Sequence, residues 1–412
     1  MGIEIHEWPD GAFEHATLLA RGLLEASRGD VTAVRKPLQT MIAAMALPGA
    51  SDDDVVGLTN QVLAQPDIAA LITGHTQAHP TAPSRPHGGR LIAASASWDC
   101  TVRIWDALAG SLIGPPLSGH TSAVNSVALC TATDGRLIAA SGCIDPRVRI
   151  WDALAGIPIG PPLTGHTQMV TSVALGTAAD GRLIAASASW DKTVRIWDAL
   201  AGTQIGAPLT GHTDGVWSVA LGTAADGRLI GASGSRDKTV RIWDALAGTQ
   251  IGPPLTGYIG SFDAVALGTA ADGRLIAASA SWDMTVRIWD ALAGTPICAP
   301  LAGHTKSVTS VALGSAADGR LIGASASGDE SVRIWDALAG TQICLPMAGH
   351  TDWFKSVALG SAADGRLIAA SGSRDKTVRI WDALAGIPIG APLTGHTHWV
   401  TSVALRFAPQ SQ

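Results

Sequence analysis

The chain has 412 residues, 47% of them apolar and 15% charged, with a formal net charge of −6 and a pI near 6.0. That balance supplies ample core and excludes a global basic field, so neither nucleic acid nor an anionic membrane surface is an expected partner. No run of about 18 apolar residues occurs, and the five cysteines (Cys100, Cys130, Cys143, Cys298, Cys344) form an odd set without a CxxC pair, as expected of incidental reduced thiols in a cytosol.

The first residues, Met-Gly-Ile-Glu-Ile-His-Glu, carry neither a basic flank nor an apolar stretch, and His6 stands where a myristoylation motif wants Ser or Thr. A soluble, cytoplasmic protein is the expectation. Residues 10–29 read as a helix through the spacing of Phe13, Leu18, Leu19, Leu23 and Leu24, with Gly29 as its stop. A second helix is expected over 30–47, bent at Pro37, and a third over 51–65, opened by Ser51 and three aspartates. This short α-helical segment, 1–70, is followed by a Pro-rich linker, 71–88, with Pro80, Pro83 and Pro86.

From there the chain is an array. A Trp-Asp pair returns at Trp105, Trp151, Trp197, Trp243, Trp289, Trp335 and Trp381, every interval being 46 residues, so one unit has been copied without insertion or deletion. In the unit 165–198, Gly165-His166 precedes the alternating run 170–175, Asp180-Gly181 signals a tight turn, and 182–189 is the next run. A turn around Asp191 leads to 193–197, and a fourth run, 203–209, carries Gly and Pro. Pro208, Pro254, Pro300 and Pro392 place that fourth strand at a sheet edge, where a missing N–H costs little. Apolar residues on both faces of the inner runs require each sheet to be covered on both sides, which face-to-face packing around an axis provides.

Gly-His, a hydrophobic strand, a turn Asp and Trp-Asp at this spacing resemble the WD-repeat β-propeller family, of the kind with nearly identical repeats found in bacterial regulatory proteins. The resemblance implies an all-β fold, a seven-bladed β-propeller of four-stranded antiparallel blades. It also implies hydrogen-bonded tetrads of structural role, for which the matching positions are His120, Ser141, Asp145 and Trp151; His166, Ser187 or Ser189, Asp191 and Trp197; His212, Ser233, Asp237 and Trp243; His304, Ser325, Asp329 and Trp335; and His350, Ser371, Asp375 and Trp381. Burying four polar groups is tolerable when they satisfy one another. The fifth unit departs, with Tyr258 in place of His, and the second has Cys143-Ile-Asp-Pro146 in its turn, so these two blades are expected to be the least well clamped.

Runs of the first type begin near residues 123, 170, 216, 262, 308, 354 and 400, so one lies beyond the last Trp-Asp while the first unit lacks its own. Residues 399–407 are therefore expected to supply the innermost strand of the first blade within a propeller spanning 89–407, leaving 408–412 as a tail. His396, not His75, would then pair with Ser95, Asp99 and Trp105.

The copies differ at few places. Before the turn Asp stand Trp98, Ile144, Trp190, Arg236, Trp282, Gly328 and Arg374; after it stand Cys100, Pro146, Lys192, Lys238, Met284, Glu330 and Lys376. The approach to the first strand varies through Asp214, Trp217, Lys306, Asp352, Trp353, Lys355, His398 and Trp399. Both sites fall at the same end of an antiparallel blade, whereas the Asp-Gly-Arg turn at the other end hardly changes. A rim for a protein or peptide is expected there, on Trp98, Trp190, Trp217, Arg236, Trp282, Trp353, Lys355, Arg374 and Trp399, since exposed Trp is what binding hot spots favour. Drift in exposed turns is the alternative. The expected function is a monomeric, non-enzymatic scaffold or sensor, without metal or cofactor because the repeated His residues belong to separate blades. The alternatives are the sensor part of a signalling complex engaged through its N-terminal helices and, third, a propeller enzyme.

Overall fold

The computed structural model describes Ala20, Leu38, Val62, residues 89–257 and residues 260–408, and of Phe262 the backbone alone. The helices expected over 10–29, 30–47 and 51–65 and the linker 71–88 fall, but for those three single residues, outside it. Residues 87–412 form one compact unit, built as seven antiparallel sheets of four strand positions each.

Blade 3 shows the plan. Val170–Thr177 lies innermost, then Leu183–Ser189, Val194–Asp198 and Thr203–Leu209 outermost. The second strand is buried along its whole length in this blade and in blades 2 and 4–7, and in blade 1 all but its first residue, Arg90. Two-sided burial arises because neighbouring blades share their cores. Ile138, Ala140, Val148, Ile150 and Leu163 of blade 2 pack against Val170, Val173, Leu183, Ala185 and Trp197 of blade 3, and the same set recurs at each junction round to blades 7 and 1. The Trp of Trp-Asp is thus the large side chain that fills the gap to the preceding blade.

The outermost strand is continuous in blades 3, 4 and 7, as Thr203–Leu209, Thr249–Leu255 and Ile387–Leu393. In blades 1, 5 and 6 it shrinks to a two-residue pairing plus one isolated bridge at Leu117, Leu301 or Met347. The expected four-stranded blade is present throughout, and what varies is the length of its outermost strand. The anchoring Leu or Met is nevertheless buried in all of these blades.

Blade 1 is assembled from both ends of the array, in the order Val400–Ala408, Arg90–Ser97, Val102–Asp106, Ser111–Leu112. The pairing runs from Arg90↔Ala408 to Ser97↔Val400. Ala408 belongs to this strand and not to a tail.

Two devices join adjacent innermost strands. Six serine hydroxyls accept the amide of a Val in the next blade, as Val173 N–H to Ser126 at 3.1 Å and Val127 N–H to Ser402 at 3.2 Å, the latter across the closure. Ala264 stands where the seventh would be and has no hydroxyl. A β-bulge also recurs in every innermost strand, leaving one extra residue there. That residue is Asn125, Thr171, Thr309 or Thr401 in four blades, each donating a hydrogen bond to the carbonyl of the next blade's first strand residue. In blades 4, 5 and 7 it is Trp217, Asp263 and Lys355. The axial channel, about 250 Å³, is walled by the Val-Ala-Leu step of all seven innermost strands.

Candidate functional site

The turn after each second strand is built by its Asp. In blade 3 Asp191 accepts the N–H and the hydroxyl of Thr193 on Oδ1, at 3.0 and 2.6 Å, and the N–H of Thr167 on Oδ2 at 3.1 Å. The next residue must then turn through a left-handed conformation, which Cys100, Lys192, Lys238, Met284, Glu330 and Lys376 adopt with φ of 65–71°. Ser189 is the turn's own support, accepting Asp191 N–H and donating to the Gln168 carbonyl. The tetrad hydroxyl is therefore that of Ser187.

From this turn a chain of hydrogen bonds runs inward. Oδ2 of Asp191 takes the N–H of His166 Nδ1 at 2.8 Å, Nε2 faces Ser187 Oγ at 2.8 Å, and that oxygen accepts the Trp197 indole N–H at 2.8 Å. The Asp fixes the ring tautomer, so Nε2 accepts from the Ser hydroxyl. The same chain links His212, Ser233, Asp237 and Trp243, His304, Ser325, Asp329 and Trp335, and His350, Ser371, Asp375 and Trp381. Across the closure it links His396, Ser95, Asp99 and Trp105 at 2.7–2.8 Å. Burial works to raise the carboxyl of Asp191, but hydrogen bonds from His166 and Thr193 overcome it and hold the group well below the usual carboxylate range. The Gly before the His answers to its backbone: Gly165 has φ of +153°, a conformation that residues with a side chain rarely adopt.

Blade 2 breaks the chain at one link. Pro146 follows its Asp, and proline cannot take a positive φ, so the turn is rebuilt with Arg147 N–H on the Asp145 carbonyl at 2.6 Å. His120 still meets Ser141 at 2.6 Å and Trp151 still donates to Ser141, but Nδ1 of His120 is buried without a hydrogen-bond partner among the described residues. Such an orphan costs roughly 1–3 kcal/mol. Burial, seconded by Arg149, pushes His120 down to about 4 against the pull of Asp145. Asp145 accepts instead from the Cys143 thiol at 2.7 Å and the Thr121 hydroxyl at 2.9 Å; burial and this carboxylate hold the thiol well above its ordinary range. In blade 5 Trp289 donates to Ser279 at 3.1 Å, and Tyr258 lies outside the described residues.

Seven of the nine rim residues gather as two clusters, while Trp282 and Lys355 stand by Asp263. In one, the Arg374 guanidinium lies 4.6 Å from the Trp353 ring and 4.3 Å from that of Trp399, while Trp399 stacks at 4.8 Å on Trp98, which also meets His398. In the other, Trp190 meets Trp217 edge-on at 5.6 Å beneath Arg236. The expectation that all six rim tryptophans are exposed is corrected: Trp98 (39%) and Trp282 (56%) are, whereas Trp190, Trp217, Trp353 and Trp399 are half-buried against one another. Such pairs favour stacked or edge-on contact, and Arg over Trp adds attraction. Asp263 was missed in the sequence because nothing local marks a bulge. Burial pushes it up to about 6 against a hydrogen bond from Trp282 and the charge of Lys355.

No curated protein matches the chain. The family model described as WD domain, G-beta repeat matches residues 69–106, 112–152, 159–198, 203–244, 253–290, 294–336 and 342–382, well over half of the sequence. Each match ends on the Asp of a Trp-Asp pair, and from the second onward the matched repeat straddles two blades, as ring closure by residues 400–408 requires. With seven such repeats and the tetrads that clamp them, the chain belongs to the WD40-repeat family, an interaction-scaffold fold.

Proposed function

We propose that this propeller is a non-enzymatic scaffold or sensor, placed in the cytoplasm, that binds a protein or peptide on the rim formed by Trp98, Trp190, Trp217, Arg236, Trp282, Trp353, Lys355, Arg374 and Trp399. The observation that carries the reading is the pair of aromatic and cationic clusters at the one end of the blades that has been diversified. Buried support with an exposed edge is how a hot spot is presented: Arg374 and Trp399 hold Trp98 in place while its face stays open. Mixed Lys, Arg, Asp and Glu around the rings suit a protein better than a polyanion.

The test compares capture of partners from native lysate by the intact chain and by Trp98→Ser/Trp282→Ser, the two rim tryptophans that are exposed. Loss of a partner by a variant with unchanged circular dichroism supports the rim, at about 2 kcal/mol or more per anchoring Trp. Equal capture by both sinks it and moves the contact to residues 1–70.

A further inference from the structure

The second blade concentrates three metal-ligating side chains where its neighbours have none to spare. His120 is 7% exposed, with its Nε2 occupied by Ser141 and its Nδ1 without a partner among the described residues. Cys143 is fully buried and ends the second strand at the position where the other blades carry Ser97, Ser189, Ser235, Ser281, Ser327 and Ser373. Asp145 is freed from its usual partners twice over: Pro146 turns it from the His, and Arg147 replaces the Thr or Ser that elsewhere occupies Oδ1. A donor atom from each of the three lies within 4.8 Å of the others.

We propose that His120 Nδ1, Cys143 Sγ and a carboxylate oxygen of Asp145 form a binding site for a zinc-class divalent ion, with water at the fourth position. One imidazole, one thiolate and one carboxylate are a borderline donor set that suits Zn²⁺ or Co²⁺ and not Mg²⁺ or Ca²⁺, which want oxygen alone. Binding replaces the thiol proton by the metal and releases it to solvent. The thiol–carboxylate contact then opens from 2.7 Å to the roughly 3.5 Å between two ligands of a tetrahedral zinc. Outer contacts are already in place: Ser141 orients the imidazole from Nε2, and Thr121 holds the other carboxylate oxygen at 2.9 Å. Thr121 is exposed and Asp145 half-exposed, which gives the ion its approach from the rim.

The test uses the full chain, stripped with chelator under reducing conditions and titrated with Co²⁺. The expected result is one ion per chain at micromolar concentration, with the visible bands of a tetrahedral site and the near-ultraviolet absorption of a cobalt–thiolate bond. Cys143→Ser, which restores the residue of the other blades and so keeps the fold, should abolish the thiolate absorption and weaken binding at least 100-fold. Pro146→Lys with Arg147→Thr restores the array's turn without removing a ligand. It should return Asp145 to His120 and weaken binding at least tenfold. Co²⁺ bound without thiolate absorption, equal affinity in Cys143→Ser, or no binding below millimolar ion would overturn the proposal.

Discussion

The two ends of the blades are built on opposite principles. At the uniform end the turn between innermost and second strand is closed chiefly by its own residues, with a longer ion pair from its Arg to the Asp of Trp-Asp, 4.0 Å from Arg182 to Asp198. Asp180 accepts Arg182 N–H at 3.0 Å and its Nε at 2.7 Å, and five other copies repeat this. At the diversified end the turn Asp answers to residues about 25 positions away. A turn closed mainly within itself, and otherwise only to an Asp that every copy keeps, can stay the same throughout the array. A turn wired to the tetrad fixes its Asp while the residues on either side stay free to change.

The largest blow to the diversified end is to remove its longest-range contact. Deleting residues 395–412 takes away His396 and the strand that covers Arg90–Ser97. It should consume most of a net stability that is typically about 5–15 kcal/mol and leave an apolar edge that recruits a second chain. Light scattering and thermal unfolding read the result. A monomer that melts like the full chain would refute closure from both ends.

Next in size is Ser187→Ala, which leaves the Trp197 indole and the His166 Nε2 buried without partners and should cost about 2–4 kcal/mol by denaturant unfolding. A loss under about 0.5 kcal/mol would mean that the tetrad is ornamental.

Acid should separate the ends more gently. Asp99, Asp191, Asp237, Asp329 and Asp375 sit below the usual carboxylate range in the folded chain, because hydrogen bonds from His and from Thr or Ser outweigh burial. Their contribution is complete above the unfolded value of about 4 and is lost as pH falls below it through the folded values. Stability should therefore drop steeply below about pH 4, and Asp191→Asn should flatten that slope more than Asp180→Asn. The reverse order would place the acid-labile clamps at the wrong end.

The smallest effect belongs to Arg182→Ala. Its pair with Asp180 is exposed on both sides and its contact with Asp198 stretches to 4.0 Å, and such surface pairs contribute little. A cost above 2 kcal/mol would show that the uniform end is more than locally sealed.

The period of 46 carried blade number and strand order, because each is a property of a single copied unit, while the tetrad positions came with the resemblance to the WD-repeat family. Closure was legible from a miscount, one first-type strand too many at the end and one too few at the start. What stayed hidden lies between units. The bulge that aims Thr171 at Val216, the serine ring and the stacking of Arg374 between two indoles join a residue to the next copy, where no local pattern marks a partner. Pro146 was visible as a departure. Its consequence, a carboxylate turned from histidine to thiol, needed the φ of the six other turns to be read.

Closure by Val400–Ala408 also orders events in time. Roughly 310 residues are made between the end of strand Arg90–Ser97 and its partner, which at about 5–20 residues per second occupies some 15–60 s of synthesis. Throughout that interval the first strand formed is an open edge while later blades accumulate beside it. The nascent chain must keep this edge unoccupied, and any neighbouring nascent chain of the same sequence offers a strand that fits it equally well.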